Sequence, residues 1–250
     1  MSGHSKWSSI KRAKGVADAQ RGQLFTKLSK EIIISAKQGG GDPAANFRLR
    51  LAVQKAKEAN MPNENIDRAI KRGAGGGDGA DNIDEIVYEG YGPHGTAVIV
   101  EAATDNRNRT VAEVRNVFTR AGGSLGETGS VGWNFEMRGV VSVSPNGKDA
   151  DDLALLAIDA GADDVQVAGD SIDVYTQPGD LESVRRALED NGLDVASAET
   201  QRVPKTTVQL DESAAIQTMR FIERLESLDD VQKVYFNAEF SDAVFAALAS

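Results

Sequence analysis

The sequence predicts an α+β multidomain protein, in which an N-terminal three-helix domain precedes two ferredoxin-like α/β sandwich domains, one inserted into the other. Three observations lead to this prediction. Apolar residues recur at helical spacing up to about residue 73, and a glycine-rich stretch follows at 73–82. The apolar pattern then alternates between strand and helix, and over 138–205 it completes the order βαββαβ of the split βαβ sandwich.

Three helices are expected before the glycine-rich stretch. The first is predicted from Asp18 to the glycine run 39–41, the second from the helix-starting pair Asp42-Pro43, and the third from Pro62. The first helix has an apolar stripe that consists of Leu24, Phe25, Leu28, Ile32 and Ala36. Short connections between three such helices favour a small bundle, with the residues before Asp18 as a flexible basic arm.

The domain boundaries follow from the order of the later elements. The region before residue 138 is predicted to contain a hairpin over 86–102, a helix over 108–121 and a strand at 133–136. A similar α/β sandwich needs one more strand, helix and strand. The chain supplies these after residue 205, at 206–210, 213–228 and 231–237. Three consecutive domains would leave unpaired strand edges in the centre. The predicted domains are therefore 1–80, 83–137 together with 206–250, and an inserted domain at 138–205 whose first strand spans 140–144.

The composition limits the chemistry of this 250-residue chain. It has no cysteine and only two histidines, His4 and His94, so disulfides and thiolate zinc sites are excluded and histidine chemistry is sparse. No apolar run approaches the roughly 18 residues of a membrane span. We expect a cytoplasmic protein with no cofactor, no bound metal, no catalytic residues, no membrane contact and no small-molecule substrate.

Charge is distributed unevenly along the chain. Residues 2–73 hold 15 of the 28 Lys and Arg but only 6 of the 38 Asp and Glu, so their formal charge is +9 while the remainder carries −19. Clustered cations gain free energy at nucleic-acid phosphates by releasing counterions. The alternative is a solvated helix face, which is what most charge runs form.

The candidate nucleic-acid contacts are mostly the cations of this basic region. They comprise Lys6, Lys11, Arg12, Lys14, Arg21, Lys27, Arg48, Arg50, Lys55, Arg68, Lys71 and Arg72. Trp7 joins them, because an aromatic residue in a basic arm can stack on a base, although the sequence favours the alternative that it docks the arm on the bundle.

A second candidate lies at a strand-to-helix junction, in the loop 104–110. Arg107 and Arg109 stand there near a helix N-terminus, which favours anions. The alternative is simple capping of the helix by Asn108 or Asp105.

Glycine loops and acidic residues raise the question of an enzyme. The loop 122–129 lacks the Lys-Ser/Thr of a P-loop and leads into a strand, so the sequence argues against a nucleotide site. The acidic residues have neither metal-loop spacing nor an adjacent nucleophile, which favours an acidic surface over a metal or catalytic site. These residues are Glu85, Glu89, Glu101, Asp105 and Glu113.

Specific motifs over nearly the whole chain resemble the YebC/PmpR family. They are Gly3-His4-Ser5-Lys6-Trp7, Ile10-Lys11, Arg21-Gly22, Phe25-Thr26-Lys27-Leu28, Gly39-Gly40-Gly41-Asp42-Pro43, Arg48-Leu49-Arg50, Asn60-Met61-Pro62, Arg68-Ala69-Ile70, Tyr88-Glu89-Gly90-Tyr91-Gly92-Pro93, Thr104-Asp105-Asn106, Asn108-Arg109-Thr110, Gly122-Gly123 and Gly129-Ser130-Val131. Because the match begins at Gly3 or the residue before it, the basic start is expected to belong to the mature protein rather than to a transit peptide.

The resemblance implies a helical N-terminal domain and two α/β domains, one inserted in the other. It implies a probable transcriptional regulatory protein that binds DNA, with a relation to mitochondrial translational activators of cytochrome c oxidase. The alternative is an RNA-binding, ribosome-associated translation factor that meets rRNA phosphates, which the lack of a helix-turn-helix or zinc-finger motif favours. An enzyme is the third hypothesis, and no catalytic constellation supports it.

Overall fold

The structure is a computed structural model that describes residues 18–75, 83–145, 149–168 and 171–240. The predicted basic arm and most of the glycine-rich linker lie outside these ranges. The described chain is a mixed α+β protein, with helices first and sheets after them, which confirms the predicted fold class.

The first three helices are α1 (Asp18–Gly39), α2 (Phe47–Glu58) and α3 (Asn63–Gly73). Their apolar faces meet in a core that includes Leu28, Ile32, Leu49 and Ile66, so the predicted three-helix bundle is confirmed. The bounds of α1 agree with the prediction.

The predicted start of α2 at Asp42 was wrong, because Asp42 closes a separate turn. Its Oδ1 accepts from the backbone N–H of Ala44 at 2.9 Å. Asn46 caps α2 instead: its Oδ1 accepts from the N–H of Leu49, and its buried Nδ2 donates to the carbonyl oxygens of Ser35 and Gly40, at 2.8 Å each. One amide side chain therefore fixes the α1–α2 connection.

Gly73 allows α3 to approach α1 closely. A Cβ at this position would overlap the carbonyl oxygen of Ile33 and lie 2.7 Å from the Cβ of Ala36. We expect Gly73→Ala to lower the free energy of unfolding by about 1–3 kcal/mol, as overpacking typically does, measured by urea denaturation.

The control for this substitution is Gly22→Ala. Gly22 lies inside α1 with nothing within 4 Å of the added Cβ, so alanine there is expected to be neutral or to stabilise by about 0.5–1 kcal/mol. Equal effects of the two substitutions would show that the helices do not cross at Gly73.

The remaining elements follow in chain order. They are β1 (Asp84–Tyr91), β2 (Ala97–Thr104), α4 (Arg107–Arg120), β3 (Ser124–Leu125), β4 (Phe135–Ser144), α5 (Ala150–Asp159), β5 (Asp164–Ala168), β6 (Ser171–Thr176), α6 (Leu181–Asp190), β7 (Asp194–Pro204), β8 (Val208–Gln209), α7 (Glu212–Glu226), β9 (Val231–Phe236) and β10 (Ala238–Glu239).

One four-stranded sheet has the order β3-β1-β2-β9. The predicted hairpin is confirmed, since β1 and β2 pair antiparallel from Asp84↔Thr104 to Tyr91↔Ala97. The side chains of Phe118 on α4 and Phe221 on α7 meet edge to face, with ring centroids 5.0 Å apart. The predicted strand at 206–210 does not join this sheet, because β8 pairs in parallel with β10.

A second four-stranded sheet has the order β5-β6-β4-β7, with antiparallel neighbours throughout. With α5 and α6 it gives the predicted βαββαβ unit. The strands predicted at 133–136 and 140–144 are one strand, β4, because β7 pairs along its whole length from Phe135↔Pro204 to Ser144↔Asp194. Pairing with β7 continues through residues 137–139, which lie between the two predicted strands.

Within the described ranges the chain forms two compact units, one of residues 18–132 and 213–234 and the other of 133–212 and 235–240. The first contains the helical bundle together with the hairpin, α4 and α7. The finer division into three domains, with 83–137 and 206–250 as a discontinuous domain around 138–205, stays a prediction.

Candidate nucleic-acid interface

The second and third helices of the bundle both end in exposed cations. Lys55 and Lys57 lie in the last turn of α2, and Lys71 and Arg72 in the last turn of α3. The apolar side of α3 is buried, so the period of the helix turns its cations toward solvent. These four cations can reach a phosphate backbone without exposing the core.

Arg68 and Arg21 are also exposed. Arg68 lies on the outer side of α3, where its Nη1 is 3.5 Å from Oδ1 of Asn65, and Arg21 lies near the start of α1. Five further predicted contacts, Lys6, Trp7, Lys11, Arg12 and Lys14, fall outside the described residues. Nucleic-acid binding by all of these side chains stays a prediction.

Arg48 connects the bundle to β1. It forms ion pairs with Glu31 at 3.1 Å and Glu85 at 2.7 Å, and it donates to Oε1 of Gln38 at 2.6 Å. Three acceptors from two elements hold this guanidinium, so its first role is to fasten the bundle to the sheet. Binding of nucleic acid by Arg48 stays a prediction.

Arg50 and Lys27 also contact the protein itself. Nη1 of Arg50 donates to the carbonyl oxygens of Pro43 and Ala44, at 3.3 Å each, and its guanidinium lies 5.4 Å from the centroid of the Phe47 ring. Nζ of Lys27 donates to the carbonyl oxygen of Glu226 at 2.6 Å. The basic region thus divides into cations that hold the fold and cations at the exposed helix ends.

The loop at residues 104–110 caps α4, and both of its arginines form ion pairs. The alternative that Asn108 or Asp105 caps the helix was wrong. Asn106 is the cap, and its Oδ1 accepts from the N–H of Arg109 at 3.1 Å. Asn106 has the extended backbone that an N-cap requires. Arg107 forms an ion pair with Asp84 at 2.8 Å, and Arg109 forms one with Asp105 at 2.7 Å. Both arginines of the loop are therefore already paired with carboxylates of the protein.

Asp230 is the centre of a buried polar cluster behind this loop. Its side chain is only 3% exposed, and it forms ion pairs with Lys30 at 2.6 Å and Arg109 at 2.8 Å. Thr110 and Thr104 also donate to it, at 2.7 and 3.1 Å. The cluster joins α1 to β2, to α4 and to the turn before β9.

The environment holds Asp230 in its charged form. Burial alone raises the pKa of this carboxyl, but hydrogen bonds from Lys30, Arg109 and Thr110 outweigh burial, so its pKa lies well below the ordinary value of 3.8. A buried carboxylate is stable only with such partners.

A cavity of about 530 Å³ lies beside the cluster, and its wall includes Lys30, Arg109 and Glu113. The two cations in this wall already bind Asp230. Across the described ranges, no group of three or more His, Cys, Asp or Glu side chains is placed to hold a metal ion. No described helix is both long enough and apolar enough to cross a membrane.

Glu89 fills the position that a phosphate would take in the glycine loop. This buried side chain accepts from the backbone N–H groups of Gly129, Val131 and Gly132, at 2.9, 2.9 and 2.7 Å. A nest of amides is an anion site, and here the anion belongs to the protein itself. This geometry agrees with the sequence argument against a nucleotide site.

Two family profiles match the chain. Residues 5–76 match the TACO1/YebC protein N-terminal domain, and residues 83–238 match the TACO1/YebC second and third domain. The chain belongs to the TACO1/YebC family. This membership confirms the resemblance that the sequence motifs indicate.

Named relatives of this TACO1/YebC protein are similar over almost their whole length. A probable transcriptional regulatory protein of Dehalococcoides mccartyi is 56% identical over 98% of this chain and 97% of its own. Another from Roseiflexus castenholzii is 57% identical over 96% of each chain. The crystal structure of a conserved hypothetical protein from Aquifex aeolicus, 46% identical, has a TM-score of 0.82 over 90% of this chain and 93% of that one.

Sequence reasoning did not identify the groups that organise this TACO1/YebC fold. The sequence did not indicate Asp230, Lys30 or Asn46, and it predicted Glu89 to be part of an acidic surface rather than of a metal or catalytic site. The contacts of Asp230, Lys30 and Glu89 span 40 to 200 residues of sequence, and those of Asn46 depend on one buried side chain. The one local signal is the polar run Thr104-Asp105-Asn106, which marks a capped helix without revealing Asp230.

Proposed function

We propose that this TACO1/YebC protein is a DNA-binding regulator of transcription that contacts DNA through its basic region, residues 2–73. The observation that carries the proposal is the separation of charge, +9 in this region against −19 in the remainder. The relatives named as probable transcriptional regulatory proteins support DNA as the partner.

The placement of the cations supports the same proposal. Lys55, Lys57, Lys71 and Arg72 are exposed at the ends of two helices, where they can neutralise phosphates. The acidic remainder repels the phosphate backbone, so electrostatics alone orients the protein with its basic region toward DNA. Specific recognition then rests on DNA shape, since the sequence has no helix-turn-helix or zinc-finger motif for direct base readout.

The proposal describes a protein that binds rather than catalyses. It requires no cofactor, no metal and no small-molecule substrate, because phosphate contacts by cations are sufficient for the activity. It also places the protein in the cytoplasm, where the chromosomes of its bacterial relatives lie.

The experiment that tests this function is in-cell crosslinking of the wild-type protein, followed by sequencing of the bound nucleic acid. We expect promoter-containing DNA fragments to be enriched and to persist after ribonuclease treatment. Recovery of rRNA or mRNA without promoter DNA would contradict the proposal and establish the RNA-binding alternative. A strain that lacks the tagged protein supplies the background.

A further inference from the structure

Helix α5 presents two large apolar side chains to solvent. Leu155 is 64% exposed and Ile158 is 55% exposed, while Leu153 and Ala157 of the same helix are buried in the core. One apolar face is enough to hold a surface helix, so packing within the βαββαβ unit does not explain a second apolar pair on the outer face.

Acidic side chains surround this pair. Asp151 and Asp159 stand four residues before and after Leu155, so all three lie on the same side of the helix. Asp152 is three residues before Leu155, and all three carboxylates are exposed. The outer face of α5 is therefore apolar at its centre and negative around it.

The negative charge around this face limits which kinds of partner can bind to it. The inserted region 138–205 has 14 acidic and 6 basic residues, so nucleic-acid phosphates are repelled from it. A second copy of the chain would set three aspartates against three aspartates in a symmetric contact. A partner with cations around an apolar centre satisfies both features of the face.

We propose that the outer face of α5 is a docking surface for a basic amphipathic helix of a partner protein. Leu155 and Ile158, three residues apart, supply the apolar anchors of a helix-on-helix contact. Asp151, Asp152 and Asp159 pair with lysine or arginine at its rim and select the partner by charge. None of these residues belongs to the basic region, residues 2–73, so the inference does not depend on DNA binding.

The test is calorimetric titration of the full chain with a synthetic 14-residue amphipathic helix built from leucine and lysine. An analogue in which glutamate replaces every lysine serves as the peptide control. We expect the lysine peptide to bind at the α5 face. The glutamate peptide, which the cations of residues 2–73 can attract, is expected to gain no affinity from this face, so substitutions in α5 should leave its binding unchanged. The double substitution Leu155→Ser with Ile158→Ser is expected to weaken binding by roughly tenfold or more, as loss of central anchors does.

Two further variants complete the test. Asp151→Asn, Asp152→Asn and Asp159→Asn together are expected to weaken binding and reduce its salt dependence. Val87→Ser, at an apolar residue of β1 that is 40% exposed, is expected to leave binding unchanged. The substituted side chains are exposed, so these variants keep the fold, which circular dichroism checks.

Several results would overturn the inference. They are absence of lysine-peptide binding to the wild type, equal weakening of lysine-peptide and glutamate-peptide binding in the Leu155→Ser, Ile158→Ser variant, or unchanged affinity of the lysine peptide in this variant. Sedimentation of the wild type as a dimer that this variant converts to a monomer would identify a second copy as the occupant and also reject the proposal.

Discussion

Replacing Asp230 with alanine is expected to lower the free energy of unfolding by about 3–5 kcal/mol, the range for breaking a buried ion pair by removing one partner. The substitution leaves the ammonium of Lys30 and the hydroxyls of Thr104 and Thr110 without their common acceptor. Arg109 loses the acceptor that it shares with Lys30. Chemical denaturation followed by circular dichroism measures the loss.

The control is Asp105→Ala, which removes the other carboxylate that binds Arg109. The Asp105 side chain is 63% exposed, and ion pairs in solvent contribute little, so a loss of about 1 kcal/mol or less is expected. If Asp230→Ala lowers the free energy of unfolding no more than Asp105→Ala does, the cluster does not hold α1 against the sheet.

The same carboxyl makes stability depend on pH. Its pKa in the folded protein lies below the ordinary 3.8, so its contribution is fully present above that value and is lost as the pH falls below it. The difference in unfolding free energy between the wild type and Asp230→Asn is therefore expected to narrow below about pH 4. A difference that is constant between pH 7 and pH 2 would assign the stabilisation to uncharged contacts.

Reversing four cations of the basic arm is expected to produce the largest change in function. In the variant with Lys6, Lys11, Arg12 and Lys14 all replaced by glutamate, affinity for duplex DNA at 0.1 M salt should fall about 100-fold or more, because four phosphate contacts are replaced by four repulsions. Fluorescence anisotropy of one labelled duplex measures the affinity.

A matched control changes the net charge equally in the α/β part of the chain. Arg115 and Arg120 on α4 and Arg220 and Arg224 on α7 are all exposed, and their joint replacement by glutamate lowers the net charge by the same amount. We expect this variant to lose far less affinity for DNA, because screened repulsion between distant charges and the phosphates reduces affinity less than the loss of direct phosphate contacts does. Equal losses would mean that total charge, rather than the basic arm, governs binding.

The elements that sequence predicted well are those set by local patterns. The helix Asp18–Gly39 follows from its apolar stripe and terminal glycines, and the βαββαβ order follows from alternating periods. The predictions were wrong where contacts with residues far along the chain determine where an element begins or ends. Asp42-Pro43 has the form of a helix start, yet Asn46 starts the helix because its amide also satisfies two carbonyl oxygens from α1 and the turn after it.

The candidate interface could be predicted only as a set of charges. The sequence places Arg48 and Arg109 among other cations but does not show their ion-pair partners. Glu85 lies 37 residues after Arg48, and Asp230 lies 121 residues after Arg109. Which cations hold the fold and which face solvent is a tertiary property. The exposed ends of α2 and α3 became recognisable only when the bundle core was known.

The salt dependence of DNA binding tests the central claim most directly. The slope of log K against log salt concentration, measured on one duplex, counts the phosphates that the protein neutralises. We predict that glutamate at positions 6, 11, 12 and 14 reduces the magnitude of the slope by roughly 3.6, about 0.9 for each cation, and that the four-arginine control keeps the wild-type slope. A wild-type slope near zero, or an unchanged slope in the arm variant, would contradict DNA binding through the basic N-terminal region.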